Sequence, residues 1–340
     1  MIDERSSMDQ RAPVTRRRLL TIAAAAAGCA TIGLRPARAG AVASYTWHGV
    51  ALGANASLTL QHTDESIAKA AIASCLEEVA RLEAVFSLHR SDSALSQLNA
   101  QGTLTDAPND LHRLLADALR LASQTAGRFD PTIQPLWQCY ADHFARNPQD
   151  AAGPALAQLD DARALVDWRG VEITGSTIRL TRKGMAVSLN GMAQGYITDR
   201  VGDLLRGAGF THVLVNMGEQ LAIGPKWNGE SWNIAITDPS DDARTLASLT
   251  TSQGALATSS PRGFAFDAHG RYTHILDTSA GEPSEAFTSV SVLADSAAYA
   301  DGLSTAIAAS SADTDWSGIL GSTRVLVQTV PGAPARWLTA

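Results

Sequence analysis

The sequence predicts an α+β fold in which mixed or antiparallel sheets are flanked by helices. One observation is the presence of hairpin-like segments with alternating apolar residues, such as "VEITGSTIRLT" around Gly175 and Ser176. A second is a set of longer segments with the 3.6-residue apolar period of amphipathic helices. The two kinds of segment do not alternate regularly, which argues against a doubly wound parallel sheet. With 340 residues, 45% of them hydrophobic, the chain can bury a large core.

The first half of the chain contains more predicted helix than strand. A strand at "SLTLQ" is followed by a helix that Asp64 caps and that runs to about Phe86. The predicted apolar face of this helix consists of Ile67, Ala71, Leu76, Val79, Leu82 and Val85. A loop, "SLHRSDSALSQLN", precedes a second helix that begins at Asn109 or Asp110 and stops near Gly127. The segment "GRFDPTIQPLWQCY" then predicts a proline-containing turn that leads into another helix.

The second half contains more predicted strand. "MAVSLN" is strand-like and precedes the helix "MAQGYITDRVGDLLRGAG", which stops at Gly207 or Gly209. Further strands are predicted at "HVLVNMGEQLAIG", "WNIAIT", "RYTHILD" and "TSVSVLA". The last of these leads into the alanine-rich helix "SAAYADGLSTAIAAS". The final predicted elements are a short helix at "DTDWSGILG" and a strand at "RVLVQTV". We expect one domain over residues 40–340.

The first 39 residues have the features of a secretory signal peptide. Three consecutive arginines at 16–18 precede an apolar run, and an Ala-Arg-Ala triplet ends at Ala39. Paired arginines followed by two leucines indicate the twin-arginine export route. We therefore expect a periplasmic protein cleaved after Ala39. Lipid anchoring at Cys29 is the alternative, because "AAGC" weakly matches a lipoprotein site, and a membrane anchor is disfavoured by the short, alanine-rich run.

The composition of the remainder excludes one class of partner. Without residues 1–39 the chain has 20 basic and 31 acidic residues, a formal net charge of -11, and no basic stripe. This composition argues against nucleic acid as a ligand. Cys75 and Cys139 remain, and export permits a disulfide between them, although two cysteines do not form a disulfide framework.

The alanine-rich helix carries Asp301 and, one turn later, Thr305 on the same face, with Ser304 beside them. Carboxylate and hydroxyl oxygens suit a hard cation such as Mg²⁺, which takes further ligands from water and substrate phosphates. A solvated or helix-capping pair is the alternative interpretation.

Two other stretches have the residue types that a phosphate-bearing ligand requires. Gly191 and Gly195 stand at the predicted start of a helix, where glycine lets a ligand approach and backbone N–H groups favour anions. An ordinary strand–turn–helix connection explains them equally well. Phe129 is suited to stacking on a flat ring in the turn before Asp130. His274 is either a structural histidine or a general base for a hydroxyl nucleophile.

Motifs for several other chemistries are missing from the sequence. No GxSxG, Walker or dinucleotide-binding GxGxxG element occurs in its required context, and no HxxxH-type pair is present. Serine-hydrolase and zinc-enzyme functions therefore have no support.

Six stretches resemble, in order and spacing, the motifs of the FAD:protein FMN transferase family, the ApbE-type flavinyltransferases. They are "SLHRSDSALSQLN", "GRFDPTIQPL", "SLNGMAQGYITD", "LVNMGE", "HILDTSAG" and "ADGLSTA". The match extends over nearly all of residues 40–340 and implies an ApbE-like fold. It also implies Mg²⁺-dependent transfer of FMN from FAD to a Thr or Ser hydroxyl of an acceptor protein, with release of AMP.

The resemblance further implies roles for individual residues. Asp301 and Thr305 would bind the metal through their side chains, with Ser304 and the backbone carbonyl of Gly191 as further ligands. His274 would be the general base. The residues implied at the FAD site are Leu52, His89, Arg128, Phe129, Asp130, Ser188, Gln194 and Ile275.

The chain departs from the family pattern at several of these positions. Ser188 stands where the family has an acid, and the other departures are His89 for Tyr, Asn190 for Gly, Gln194 for Lys, Thr278 for Pro and Ala280 for Thr. The "SLNGMAQGY" variant resembles the branch linked to nitrous oxide reductase maturation, whose acceptor is a membrane-bound flavoprotein with an exported FMN domain. Two alternatives stay open: a Mg²⁺-dependent FAD pyrophosphatase that releases FMN and AMP, and a non-catalytic FAD-binding assembly factor, which the missing acid at Ser188 favours.

Overall fold

The structure is a computed structural model that describes residues 41–51 and 53–338. The predicted signal peptide, the alternative lipidation site Cys29 and the predicted FAD contact Leu52 lie outside the described residues. The helices of the described chain, α1 to α8, are Glu65–Phe86, Ala94–Gln101, Asn109–Gln124, Gln134–Arg146, Leu156–Arg163, Ala193–Gly207, Ala297–Ala308 and Ser317–Leu320. The strands, β1 to β13, are Ala43–Ala51, Ala54–His62, Thr103–Leu104, Val171–Thr174, Thr177–Leu180, Val213–Asn216, Gln220–Ile223, Trp232–Asp238, Asp241–Thr251, Gln253–Ser259, Ser289–Ala294, Arg324–Gln328 and Arg336–Leu338.

An eight-stranded sheet forms the centre of the molecule, with strand order β1-β2-β6-β7-β10-β11-β12-β13. Every neighbouring pair in it is antiparallel. Two smaller antiparallel sheets accompany it, β3-β5-β4 and the hairpin β8-β9. The predicted α+β class is confirmed, including the hairpin that pairs Thr174 with Thr177 across Gly175 and Ser176.

The middle of the central sheet is covered on both faces. Successive side chains of a strand point to opposite faces of the sheet. In strand β6, Val213 and Val215 pack with the helices in the main core, whereas Leu214 packs in a second cluster on the other face. Ile234 and Ile236 of the β8-β9 hairpin cover that second face. Burial on both faces explains why these strands are nearly continuous apolar runs in the sequence.

Helix α1 has the predicted N-cap and C-terminal end, but its buried face differs from the predicted one. Asp64 Oδ1 accepts hydrogen bonds from the backbone N–H groups of Ser66 at 2.8 Å and Ile67 at 3.1 Å. The buried residues are Ala68, Ile72, Cys75, Val79, Leu82, Val85 and Phe86. Ile67 is 49% exposed, so the first half of the predicted face was wrong by one residue.

One segment contains a helix, and another a turn, that the sequence analysis did not predict. Helix α2 begins inside "SLHRSDSALSQLN", where the Ser93 hydroxyl caps it by accepting from the N–H of Ser96 at 3.0 Å. "HVLVNMGEQLAIG" is not one strand but the hairpin β6-β7, which turns at Gly218 with a φ of 106°.

Two segments predicted as strands are not strands. In "MAVSLN", the side chain of Asn99 binds both the N–H and the carbonyl of Val187, at 2.7 and 2.8 Å, and so replaces a strand neighbour. In "RYTHILD", only two isolated bridges form, between Ala265 and Thr273 and between Leu276 and Pro283. The chain folds back at this point because both the backbone N–H and Nδ1 of His274 meet one carbonyl.

The two cysteines of the described residues, Cys75 and Cys139, are free thiols; Cys75 is buried in the core and Cys139 is half-buried. Among the described residues, no helix combines the length and the apolar character needed to cross a bilayer.

Candidate active site

Helix α7 is held at its N-terminus by a carboxylate from a neighbouring helix. Asp199, near the middle of α6, accepts hydrogen bonds from the Ser296 hydroxyl at 2.7 Å and from the N–H groups of Ala297 and Ala298 at 2.8 and 3.0 Å. An acid is favourable at this position because the helix dipole is positive there. Burial raises the pKa of Asp199, and the three hydrogen bonds oppose that rise. This capping role of Asp199 fixes the position of the helix that carries Asp301.

Asp301 is 5% exposed and points at the first turn of α6. Its Oδ2 accepts a hydrogen bond from the backbone N–H of Gly195 at 3.1 Å. Burial raises the pKa of Asp301, the Gly195 N–H lowers it, and the charge of Asp199 raises it further. The alternative that Asp301 is a solvated polar residue is therefore wrong.

Gly195 allows helices α6 and α7 to approach closely at this point. A Cβ atom there would lie 2.3 Å from the carbonyl oxygen of Ala297, which is backbone and cannot rotate away. We expect Gly195→Ala to lower the free energy of unfolding by about 3 kcal/mol. Gly207 of the same helix has no atom within 4 Å of its Cβ position, and Gly207→Ala should be neutral or stabilising by up to about 1 kcal/mol. Urea unfolding of both variants tests this; equal stability of the two would contradict it.

Gly191 brings the backbone of the "SLNG" turn against helix α7. Its Cβ position would lie 3.1 Å from Oγ1 of Thr305 and 3.2 Å from the ring of Phe129. The absence of a side chain therefore lets three predicted site residues, from three separate motifs, lie together. Phe129 itself is buried.

Ser304 is fully buried and connects helix α7 to strand β10. Its hydroxyl lies 2.7 Å from the Ser259 hydroxyl and donates to the carbonyl of Asp301 at 2.9 Å. Ser259 also contacts Oγ1 of Thr305 at 3.2 Å. These contacts anchor the helix turn on which Asp301 and Thr305 are presented, and Ser304 stays a predicted ligand.

The "GRFDP" turn connects the remaining motifs. Asp130 Oδ1 accepts from the N–H and hydroxyl of Thr132 at 2.8 and 2.6 Å, and its Oδ2 accepts from the N–H of Trp168 at 3.0 Å. Burial raises the pKa of Asp130, and these bonds oppose the rise. Both carboxylate oxygens are thus used to shape the turn beside Phe129.

Two further motifs are tied to the same turn. The backbone N–H of Ser188 donates to the carbonyl of Pro131 at 2.7 Å. The hydroxyl of Thr278 donates to the carbonyl of Gly127 at 2.7 Å. Thr278 stands where the family has proline, and this hydrogen bond gives it a structural role here.

His274 is half-buried beside the turn that follows strand β10. Its Nδ1 lies 3.0 Å from the carbonyl oxygen of Phe264, which can only accept, so the neutral ring carries its proton on Nδ1 and its lone pair on Nε2. Burial lowers the pKa of His274, and the carbonyls of Phe264 and Pro261 oppose that shift. The neutral ring is the form that a general base requires.

The other predicted FAD contacts lie around these turns at different depths. Arg128 is exposed, with its guanidinium 5.9 Å from the centre of the Trp316 ring. His89 is exposed in the loop before helix α2. Gln194 packs against the turn at Gly218, where a Cβ atom would lie 2.7 Å from Gln194 Cδ. Ile275 is buried and follows His274 directly.

Glu219 belongs to this region but was not predicted as a site residue. It is 8% exposed, and its pKa is raised well above the usual range by burial and by the negative charge of Asp301. In the sequence it is a lone acid inside the apolar segment "HVLVNMGEQLAIG". An acidic residue in an apolar segment is the sequence feature that could have identified Glu219 as a site residue.

The donor set fits a hard cation. No three His, Cys, Asp or Glu side chains of the described residues cluster as an all-protein metal cage would require. What the chain presents is a buried carboxylate, a hydroxyl and a glycine backbone at one place, which matches the partial protein ligation that Mg²⁺ accepts.

Comparisons with known proteins agree with this geometry. The ApbE family model matches residues 52–317. The chain is 31% identical over 228 residues to an FAD:protein FMN transferase of Vibrio cholerae, covering 65% of this chain and 67% of the relative. It is 32% identical over 259 residues to an FAD:protein FMN transferase of Treponema pallidum, covering 70% and 71%.

The fold comparison gives the same result. The solved structure of the flavin transferase ApbE from Vibrio cholerae superposes with a TM-score of 0.75 at 25% identity, covering 88% of this chain and 97% of that one. The match of the family model over most of the chain, the similarity to these relatives and the shared fold establish that this chain belongs to the ApbE family.

Proposed function

We propose that this protein is a Mg²⁺-dependent FAD:protein FMN transferase. The observation that carries the proposal is the junction of helices α6 and α7, where Asp301, Thr305 and the Gly191 backbone lie together. The names of the curated relatives support the same reaction. The substrate would be FAD, the product a phosphoester between FMN and an acceptor hydroxyl, and the leaving group AMP.

Asp301, Thr305 and the carbonyl of Gly191 would hold the Mg²⁺ ion, with Ser304 as a further predicted ligand. When bound, the ion would neutralise negative charge on the pyrophosphate of FAD. The chain contributes rigidity to this arrangement. Asp199 holds the start of helix α7, and Ser259 holds the turn that contains Thr305.

His274 would act on the acceptor. Its Nε2 takes the proton of the Thr or Ser hydroxyl as that oxygen forms a bond to the phosphorus of the FMN half. The bond from this phosphorus to the bridging oxygen breaks, and AMP leaves with that oxygen. Phe129 and Ile275, which border the motif turns, and the predicted contacts His89, Arg128, Ser188 and Gln194 would position the flavin nucleotide.

The transfer assay tests this proposal. The purified protein is incubated with FAD, Mg²⁺ and an exported FMN-binding domain as acceptor, and products are measured by intact mass and chromatography. We expect the acceptor to gain the mass of one covalent FMN and AMP to appear in equal amount. An unchanged acceptor with intact FAD would overturn the proposal and favour a non-catalytic FAD-binding assembly factor. FMN and AMP released without acceptor would instead indicate a pyrophosphatase.

Export and the acceptor class are further parts of the proposal. The arginines at 16–18 and the Ala-Arg-Ala triplet support twin-arginine export to the periplasm, and the "SLNGMAQGY" variant supports an acceptor associated with nitrous oxide reductase maturation. Cell fractionation should place the protein in the periplasm, and replacing Arg16 and Arg17 by lysine should retain it in the cytoplasm. Unchanged fractionation of that variant would exclude the twin-arginine route.

A further inference from the structure

Strand β10 presents a row of small residues to the helices, and this row ends in a hydroxyl. Alternate residues of a strand lie on the same face, and Ala255 and Ala257 both pack in the main core. Ser259, the last residue of the strand, continues this row, and its backbone is held by pairing with strand β11. The hydroxyl of Ser259 therefore lies where helix α7 presents Ser304 and Thr305.

The three hydroxyls of Ser259, Ser304 and Thr305 form a chain with one direction of donation. A hydroxyl has a single proton to donate. Ser304 donates its proton to the backbone carbonyl of Asp301 at 2.9 Å, because that oxygen can only accept. Ser304 and Ser259 lie 2.7 Å apart, so Ser259 is the donor between them. Since its own proton is then used, Ser259 accepts from Thr305, whose Oγ1 lies 3.2 Å away.

Burial keeps this direction fixed. Because Ser304 is fully buried, water does not replace Ser259 as its partner. In the reverse direction, Ser304 would donate to Ser259, and its oxygen would face the carbonyl oxygen of Asp301 at 2.9 Å with no proton between them. Such a contact is unfavourable in a buried place. The proton of Thr305 is therefore directed at strand β10.

The lone pairs of Thr305 Oγ1 are left for the opposite side. Within the described part of the chain, no hydrogen-bond donor contacts this oxygen. The backbone of Gly191, another predicted ligand, comes close to it, because a Cβ atom on Gly191 would lie 3.1 Å from Oγ1. A hydroxyl binds a hard cation through an oxygen lone pair, and this oxygen is oriented accordingly.

We propose that Ser259 is a positioning residue of the metal site: it accepts the hydroxyl proton of Thr305 and so turns the lone pairs of Oγ1 towards the cation. A proton directed at the cation would repel it. A hydrogen bond from a metal ligand to its neighbour also fixes the orientation of the ligand and raises its basicity. The inference rests on the metal site of the proposed function, and it gives Ser259 a role through Thr305, without direct contact to the metal.

Metal binding measured without flavin tests this role separately from catalysis. The protein is titrated with Mn²⁺, a hard divalent stand-in for Mg²⁺, and free Mn²⁺ is followed by electron paramagnetic resonance. We expect Ser259→Ala to bind Mn²⁺ about tenfold more weakly than the wild type, because the proton of Thr305 loses its acceptor. Ser260→Ala removes the next hydroxyl, which donates to the carbonyl of Thr288 at 2.8 Å, and should leave the Mn²⁺ affinity unchanged. Equal weakening in both variants would assign the effect to a disturbed turn and overturn the role of Ser259.

A double-mutant cycle distinguishes positioning from direct ligation. Thr305→Val removes the ligand oxygen itself and should weaken Mn²⁺ binding more than Ser259→Ala does. Because Ser259 acts through Thr305, adding Ser259→Ala to Thr305→Val should cause no further loss. Losses that multiply in the double variant would overturn the positioning role and indicate that Ser259 contacts the cation directly. A cooperative thermal melt without metal shows that each variant is folded.

Two further outcomes separate this inference from the proposed function. Wild-type Mn²⁺ affinity of Ser259→Ala, with Thr305→Val impaired, would overturn the role of Ser259 and leave the proposed function intact. A wild type that binds no Mn²⁺ would overturn the metal site itself, and the role of Ser259 with it.

Discussion

Asp301→Asn is expected to reduce FMN transfer by at least about a thousandfold, measured as initial rates of AMP release at saturating FAD and Mg²⁺. The reason is that the metal supplies several kcal/mol of charge stabilisation during transfer, and every 1.36 kcal/mol corresponds to a factor of about ten in rate. Asparagine is isosteric and still accepts from the N–H of Gly195. The loss is therefore expected in the rate and not in the fold.

The stability of this variant supplies the control. Burial raises the pKa of Asp301, so the folded state favours its protonated form and the charged form is a cost at higher pH. The stability contribution is fully present below the unfolded pKa of about 3.9 and is lost as pH rises through the folded value. Without metal at pH 8, Asp301→Asn should thus be at least as stable as the wild type. The exposed Asp313→Asn should change neither rate nor stability, and a wild-type rate for Asp301→Asn would exclude the metal role.

His274→Gln is expected to lower the transfer rate by about 10²- to 10⁴-fold, the range that a general base contributes. Its affinity for Mn²⁺ should stay that of the wild type, because His274 is not among the proposed ligands. His269→Gln replaces an exposed histidine of the same loop and should retain full activity. Transfer to the acceptor, followed by intact mass, distinguishes these outcomes.

The pH dependence adds a signature that a structural histidine would not produce. Burial lowers the pKa of His274, so the ring stays neutral down to a pH below its ordinary value of about 6.5. The wild-type rate should rise with pH only below that value and then become flat, and His274→Gln should lack this acid limb. An unchanged acid limb in the variant would assign the limb to another group.

Much of the architecture followed from local signals. The cap at Asp64, the helix from Asn109 and the turn at Gly175 were all predicted, because each depends on residues close in sequence. Periodicity identified helix α1 but not its buried face, since the buried series Ala68, Ile72 and Cys75 competes with a second apolar series, Ile67, Ala71 and Leu76, whose members each lie one residue away. Packing against the sheet decides between the two.

The errors fall where distant residues replace local pairing. "MAVSLN" has the composition of a strand, but the side chain of Asn99 occupies the backbone groups of Val187. Strands β1, β3, β9, β10 and β13 were not predicted, and their positions depend on pairing with neighbouring strands. The turn at Gly218 between strands β6 and β7 was also not predicted. The position of Glu219 in that turn, outside both strands, was therefore not predicted either.

The sequence by itself determined the family, the order of the six motifs and the predicted chemistry of Asp301, Thr305 and His274, because these depend on residue type and spacing. Only the tertiary structure decided which groups meet. It revealed the caps and anchors at Asp199 and Ser259 and buried Glu219 between helix α6 and strand β10, since these contacts join segments far apart in the chain. Burial, which raises the pKa values of Asp301 and Glu219, is a property of the folded chain alone.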